Sequence, residues 1–228
     1  MGGIRRFVSV LRWDIVLELR RREAVLNMSL FAVLILFIAS YGLSGRPEYQ
    51  EQFGPLIFWI SILFAGTVGL SRAFAVEKEN GALTGVLISP IDTGAFYLAK
   101  VAATGIYVAV MEVLVLAAYI ILFNFTGWDR IPLLLATMAC FTLAYVAAGT
   151  LIAAMTTGLR GGEVVLRILL FPIMIPVVIA VLRIGDRIFP GEVPLGTQSA
   201  WRSLLLLTAL GVIYLTAGYV LFPKVLEE

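Results

Sequence analysis

The sequence predicts an all-α integral membrane protein with six transmembrane helices, and three observations support this fold class. Hydrophobic residues make up 61% of the 228 residues and charged residues only 14%, unlike a soluble globular domain. Six apolar stretches are long enough for the ~20 residues that a helix needs to cross a bilayer. Lysine and arginine are also distributed unequally between the two sets of connections, as in polytopic membrane proteins.

The six predicted spans are separated by short connections, so residues 1–228 form a single transmembrane domain. The spans cover residues 27–43, 55–76, 101–123, 131–157, 164–182 and 203–222. Three connections are predicted to be external, at residues 44–54, 124–130 and 183–202. The last of these is the longest external loop, and it is expected to be periplasmic.

The basic residues predict the orientation of the chain. Twelve of the 17 lysines and arginines fall on one side of the predicted membrane and five on the other. Because the cytoplasmic side of membrane proteins carries the excess of positive charge, we expect the side with twelve to face the cytoplasm. Both termini and the polar stretch between the second and third spans then face the cytoplasm. The net charge of +2 needs no nucleic-acid partner to explain it.

Residues 1–26 are too charged to span a bilayer and predict an amphipathic helix on the cytoplasmic face. Ile4, Phe7, Leu11 and Ile15 form an apolar stripe at helical spacing. Such a helix lies in the membrane interface with its apolar side towards the acyl chains. Simple anchoring and the docking of a partner are both consistent with this pattern.

The stretch from Arg72 to Lys100 is the longest polar interruption between two apolar spans, and the chain is organised around it. Within it, residues 77–92 are predicted to form a cytoplasmic coupling segment. Glu77 and Glu79 belong to a charged turn that ends the second span, and Gly81 allows a sharp change of backbone direction. Ser89 and Pro90 are typical of the start of the next helix, as N-cap and first helical residue.

A short helix with one apolar face is predicted inside this segment. Leu83, Val86 and Leu87 have the i, i+3, i+4 spacing of residues on one side of a helix. Apolar side chains held outside the membrane need a protein partner to cover them. The sequence therefore predicts a docking site for another protein on the cytoplasmic side.

Glu112 lies about halfway along the third span and is the most informative single residue of the chain. A charged carboxylate at that depth costs ~2.5 kcal/mol or more, so we expect Glu112 to be protonated, paired or beside water. One interpretation makes it part of a translocation or coupling path. The other makes it a neutral side chain hydrogen-bonded across a helix interface, to Tyr107 or Thr142.

Two further features mark the fifth span. Glu163 and Arg167 are four residues apart at its start, where a helix brings them close enough for a structural ion pair. Pro172 and Pro176 interrupt successive backbone hydrogen bonds and predict a bend. Neighbouring groups or water must then satisfy the freed carbonyls, and such bends often line cavities.

Motifs of covalent chemistry are missing from the sequence. There is no histidine, and Cys140 is the single cysteine, which predicts no metal site and no cofactor held by this chain. No phosphate-binding loop, zinc-protease motif or nucleophile elbow is present. We therefore expect that the chain is not itself an enzyme.

The stretch EKENGALTGVLISP resembles the pattern E-[KR]-E-x-G-[AT]-L-x-x-L-x-[ST]-P that follows the second helix of type-2 ABC transporter permeases. The leucine that the pattern expects before Pro90 is offset by one residue, at Val86-Leu87. Within that group the whole chain resembles the CcmB type, the permease of the cytochrome c maturation haem exporter. Its six-helix length, its start at DIVLELRRREA and the run FPIMIPVVIA carry this similarity.

This resemblance implies a permease of the bacterial inner membrane, present in two copies per complex. It implies a separate CcmA-type ATPase, which binds the ATP and docks on the coupling segment, and CcmC- and CcmD-type subunits that handle haem. ATP hydrolysis then drives haem delivery or release of the haem-loaded CcmE-type chaperone. Matching residues carry the ATPase-coupling role here: Glu77, Glu79, Gly81, Leu83, Val86, Leu87, Ser89 and Pro90.

Two other classes of transport protein are consistent with the sequence. One is a type-2 ABC permease that exports a drug, a lipid or a polysaccharide through the same coupling segment. The other is a secondary transporter that uses Glu112 as a proton or ion site. The second class needs no ATPase partner, and the apolar side chains of Leu83 and Leu87 outside the membrane speak against it.

Overall fold

A computed structural model describes residues 23–79, 93–157, 159–189 and 200–227, and in these ranges the chain is helical with no strand. A single 3₁₀ turn, Trp128–Arg130, precedes the fourth helix. The six helices are α1 Glu23–Gly42, α2 Pro47–Glu79, α3 Thr93–Leu122, α4 Ile131–Thr156, α5 Gly162–Ile188 and α6 Ala200–Glu227.

All six predicted membrane spans are confirmed as helices. Each contains an apolar stretch of at least 18 residues, which is long enough and apolar enough to cross a bilayer. The chain is thus a multi-pass, all-α membrane protein. The predicted amphipathic helix at residues 1–26 lies almost wholly outside the described residues, apart from the first residues of α1.

The first external connection is shorter than the sequence predicts. The prediction of a loop at residues 44–54 is wrong, because α2 begins at Pro47 and only residues 43–46 form a turn. Pro47 suits the first helical position, and Glu48 places a negative charge in the first turn, where it complements the helix dipole. Gly45 turns the chain with a φ of 82°. The helix therefore begins among polar residues, before the apolar stretch that the sequence predicts as the second span.

Two other helix ends differ from the predicted boundaries. The backbone of α2 is helical through Glu79, so residues 77–79 continue the helix rather than form a charged turn. At the predicted external side, α5 continues to Ile188 and α6 begins at Ala200. The predicted loop 183–202 is therefore partly helical.

The helices differ in how much of their surface the protein itself covers. In α2 and α4 the buried share of the apolar stretch is 61% and 56%, whereas it is 22% in α1 and 17% in α6. Of the six helices, α2 and α4 are therefore the most enclosed by the rest of the protein. The outward faces of α1 and α6 carry Leu, Ile and Val side chains suited to a lipid environment.

Two buried tyrosines connect α4 to its neighbours. The ring of Tyr145 fills the space beside Gly66 of α2, where an added Cβ would lie 2.7 Å from the tyrosine hydroxyl oxygen. The Tyr145 hydroxyl donates to the carbonyl oxygen of Leu63 at 3.3 Å. Tyr97 of α3 donates to the carbonyl oxygen of Ala147 at 2.9 Å. Small residues on one helix thus admit large, hydrogen-bonded side chains from the next.

Candidate functional site

Glu112 lies in the interior of the bundle, where α3 packs against α4. Its side chain is only 2% exposed. The Glu112 Oε2 atom lies 2.7 Å from the Thr142 hydroxyl oxygen. Of the arrangements consistent with the sequence, the structure thus places Glu112 in a hydrogen bond across a helix interface, with Thr142 as the partner.

The Thr142 hydroxyl has a second possible partner beside Glu112. That oxygen also lies 2.9 Å from the carbonyl oxygen of Met138, one helical turn earlier. A hydroxyl has one hydrogen and cannot donate to both acceptors. If Glu112 is protonated, it donates to Thr142, and Thr142 in turn donates to Met138. If Glu112 is ionised, the Thr142 hydroxyl donates to Oε2 and the Met138 carbonyl keeps its helical N–H partner, so this contact by itself fits either protonation state.

The second carboxyl oxygen of Glu112 is the observation that favours a neutral carboxyl. Within the described residues, Glu112 Oε1 is buried and has no hydrogen-bond partner. A carboxylate with one oxygen unsatisfied at this depth would be costly, while the carbonyl oxygen of a neutral carboxyl loses much less. The ion pairs found in the described ranges join Arg130 to Asp129 and Arg167 to Glu163, so none of them neutralises Glu112.

Aromatic side chains line the same turn of α4. The Trp59 ring lies 5.2 Å from Phe141, and Phe141 stacks on Tyr145 at 5.7 Å. The Trp59 Nε1 atom is a buried donor with no partner among the described residues. Trp59 of α2 and Glu112 of α3, each with one buried polar atom without a partner among the described residues, thus both contact the stretch 141–145 of α4. Sequence reasoning missed Trp59, because its approach to Phe141 depends on how α2 and α4 cross.

The second intramembrane polar residue singled out from the sequence, Arg167, pairs locally instead. Its Nη2 atom lies 3.9 Å from Glu163 Oε2, and both side chains are substantially exposed. This confirms the predicted i, i+4 pair at the start of α5. In the described ranges, neither a hydrogen bond nor an ion pair joins Arg167 to Glu112. The two polar residues therefore belong to separate environments.

The two prolines lie within a continuous helix. Pro172 and Pro176 are inside α5, which runs on to Ile188, and both side chains are exposed rather than turned towards an internal cavity. Tyr214 of α6 donates its hydroxyl to the carbonyl oxygen of Ile173, at 2.9 Å, within the proline-containing stretch. The carbonyls that lose their helical donor to the two prolines are those of Ile168 and Pro172, so this bond connects α6 to α5 beside the prolines without replacing either lost bond. The bend itself stays a prediction.

The coupling segment is only partly within the described residues. Glu77 and Glu79 lie in the last turn of α2. The other coupling residues predicted from the sequence lie outside the described ranges: Gly81, Leu83, Val86, Leu87, Ser89 and Pro90. Their helix and their apolar face stay predictions.

The structure does show how the helix that follows this segment is held. In the second turn of α3, Lys100 is 6% exposed, with its ammonium nitrogen 5.8 Å from the centre of the Phe96 ring. Tyr97 and Phe96 also pack against Phe222 near the end of α6, at 5.3 and 6.0 Å between ring centres. Sequence reasoning used Lys100 only as a boundary charge and missed this packing.

Within the described ranges, no group of three His, Cys, Asp or Glu side chains lies close enough to hold a metal ion. The polar groups in the bundle interior are hydroxyls, a carboxyl, an indole nitrogen and a lysine ammonium. Such groups can connect helices through hydrogen bonds.

Comparison with known proteins gives consistent matches over most of the chain. The model of the family described as CcmB protein matches residues 5–225. A relative from Rhodobacter capsulatus named Heme exporter protein B is 28% identical over 172 residues, covering 72% of this chain and 77% of its own. The protein of that name from Haemophilus influenzae is 24% identical, covering 76% and 78%. That from Pseudomonas aeruginosa is 28% identical, covering 70% and 71%.

Proposed function

The chain belongs to the CcmB family, and on this premise we propose that it is the membrane permease subunit of an ABC transporter for haem in cytochrome c biogenesis. The observation that carries the proposal is the family match, which extends over residues 5–225 and so covers the first five helices and α6 up to residue 225. Relatives named Heme exporter protein B support haem as the group that the complex handles.

In the proposed mechanism, a separate CcmA-type ATPase binds and hydrolyses ATP while this chain binds no nucleotide. The ATPase docks on the coupling segment 77–92, with Leu83, Val86 and Leu87 in a groove on its surface. Movement of that segment then acts on the two helices that flank it, α2 and α3. The burial of Lys100 and the packing of Phe96 and Tyr97 support this, because they give α3 a firm hold on α4 and α6.

Within the membrane, α3 and α4 are proposed to move as one unit. They are joined near the start of α3 by the bond from Tyr97 to Ala147 and, about four turns further on, by the contact between Glu112 and Thr142. Two hydrogen bonds at separate levels resist both sliding and rotation of one helix against the other. Glu112 thus serves as a neutral structural link within the moving unit.

At the level of the complex, we propose two copies of this chain in the bacterial inner membrane, with cytoplasmic termini. CcmC- and CcmD-type subunits handle haem beside it, and ATP hydrolysis drives haem delivery or release of the haem-loaded CcmE-type chaperone. In this proposal the chain holds no cofactor of its own. Its sequence has no histidine, one of the residues that serve as axial ligands of haem iron.

The test is a Leu87→Asp variant expressed with its candidate partners. Burying a leucine contributes ~1.5–3 kcal/mol, and aspartate would remove that contribution and bring an unpaired charge into the interface. We expect normal membrane levels, loss of the ATPase from the purified complex, and loss of haem attachment to cytochromes c. Leu34→Ile in the outward face of α1 is the control, since Leu34 is 53% exposed. An aspartate variant with a retained ATPase and full cytochrome c output would refute the docking site.

A deletion strain separates haem handling from export of another substrate. Loss of c-type cytochromes with unchanged drug resistance and unchanged surface polysaccharide is the expected result. Normal cytochromes c together with a defect in one of the other exports would refute the proposed cargo while leaving an ABC permease in place. Activity that persists without any ATPase partner would instead favour a secondary transporter.

A further inference from the structure

The first turns of α3 are more enclosed than the rest of that helix. None of residues 93–105 is exposed, whereas Ile106 begins an outward face that continues along the helix. Gly94, Phe96 and Tyr97 are all buried. These turns directly follow the coupling segment in the chain. A displacement that reaches α3 at this end therefore acts at once on the helices packed around it.

The end of α6 holds this part of α3 through two reciprocal contacts. Tyr97 of α3 lies at Gly218 of α6, so closely that a Cβ added to this glycine would overlap the tyrosine hydroxyl. Tyr219 of α6 lies at Gly94 of α3, where an added Cβ would be 2.5 Å from the tyrosine ring. Each helix thus places a tyrosine at a glycine of the other, which lets the two backbones approach closely. Sliding of either helix along the other would push both rings out of these positions.

A third aromatic side chain completes the contact. Phe222 is fully buried, whereas Leu221 beside it is 44% exposed. The centre of the Phe222 ring lies 5.3 Å from that of Tyr97 and 6.0 Å from that of Phe96. Tyr97 also donates to the carbonyl oxygen of Ala147 in α4, at 2.9 Å. Three helices, α3, α4 and α6, therefore meet at Tyr97.

We infer that Phe222 is a positioning residue for energy coupling, which holds the start of α3 against α6 so that the two helices move together when the ATPase acts. This inference rests on the proposed function as an ABC permease subunit, and it adds α6 to the moving unit of α3 and α4. Both ring separations lie in the range that aromatic pairs prefer, so the Phe222 ring contributes attraction as well as volume.

The test compares Phe222→Ala with Leu221→Ala, each expressed with the partner subunits of the complex. Leu221 is the matched control, because it is the neighbouring residue and faces outwards. Haem attachment to cytochromes c is measured in cells, and ATP hydrolysis is measured with the complex purified from the same cells. In Phe222→Ala we expect a retained ATPase and continued hydrolysis, but about five-fold less haem attachment per ATP hydrolysed, as for the loss of a coupling interaction. Leu221→Ala should match wild type, and Phe222→Leu, which restores most of the volume, should recover most of the output.

Two results of this comparison would overturn the inference. One is equal output per ATP hydrolysed in Phe222→Ala and Leu221→Ala. The other is an output that falls only in proportion to the membrane level of the chain, because a ring that merely fills space would have that effect. Normal cytochromes c in the deletion strain would instead refute the proposed function itself, so the two failures are distinguishable.

Cross-linking decides the question if Phe222→Ala does not insert. Gly94→Cys and Tyr219→Cys are combined with Cys140→Ser, which removes the single native cysteine. A short bismaleimide then joins the start of α3 to the end of α6 in membrane vesicles that contain the complex. Since the two helix ends are proposed to move together, the cross-linked complex should keep the output that it has without the reagent. A lower output than in the equally treated single-cysteine chains would overturn the inference.

Discussion

Two glutamates show how position in a membrane protein changes the role of one side chain. Glu163 lies at the start of α5, where it is exposed and pairs with Arg167 four residues later. Glu112 lies inside the bundle and contacts Thr142 of another helix. The first is a charged contact in a polar environment, and the second is best satisfied as a neutral hydrogen bond. The buried Glu112 therefore contributes to the packing of two helices, whereas the exposed Glu163 forms only a local ion pair.

The largest effect is expected from placing a permanent charge at the buried position. Glu112→Lys would bring an ammonium group to a site without a carboxylate partner, at a cost of ~2.5–3.5 kcal/mol or more. We expect low membrane levels or a strongly reduced melting temperature in detergent, measured by fluorescence-detected size exclusion. Glu163→Lys is the control, since it makes the same exchange at an exposed site and should keep normal levels. Equal effects of the two variants would contradict the expected difference between the buried and the exposed glutamate.

The next effect concerns the partner on α4. Thr142→Val keeps the shape of the side chain but leaves the carboxyl hydrogen of Glu112 without an acceptor. Interhelical hydrogen bonds in membrane proteins contribute about 1 kcal/mol, so the melting temperature should fall by about 2–4 °C.

A double variant tests whether this loss comes from the pair. Replacing both partners by apolar groups can be nearly neutral, so Glu112→Met with Thr142→Val should be more stable than the sum of the single changes. The measurement is a double-mutant cycle of melting temperatures. Strict additivity would show that the two side chains do not depend on each other.

A smaller effect is expected when Glu112 is replaced by its neutral isostere. In Glu112→Gln the amide N–H₂ can donate to Thr142, which keeps its bond to Met138, so assembly and cytochrome c output should stay close to wild type. Haem staining of cytochromes c, normalised to membrane levels of the chain, checks this. Loss of output at normal levels would point to proton transfer or a required charge at Glu112.

The smallest effect belongs to the exposed pair. Arg167→Gln removes an ion pair at 3.9 Å, and exposed i, i+4 pairs contribute only ~0.3–0.5 kcal/mol. The expected change in melting temperature is about 2 °C or less, and it should shrink further at high salt. A large change that persists at high salt would place Arg167 in a more important contact than its pairing with Glu163.

Much of the fold was predictable because membrane helices are encoded locally. Each apolar stretch must form a helix to satisfy its own backbone in lipid, so the six spans follow from hydrophobicity and length alone. The pair Glu163–Arg167 was predictable for the same reason, since its spacing along one helix brings the two side chains together. The end of the first external loop was not predictable from the apolar pattern. A helix continues wherever its backbone hydrogen bonds allow, and Pro47 permits α2 to begin earlier than its apolar residues indicate.

The sequence by itself determined the membrane class, the six spans and the presence of one buried carboxyl at Glu112. The tertiary structure alone decided that Thr142 is its partner, that Tyr145 fits beside Gly66, and that Tyr214 donates to Ile173. Each of these contacts joins residues at least 30 positions apart. Which faces of two helices meet depends on their crossing and rotation, and these are set by the packing of all neighbouring side chains together.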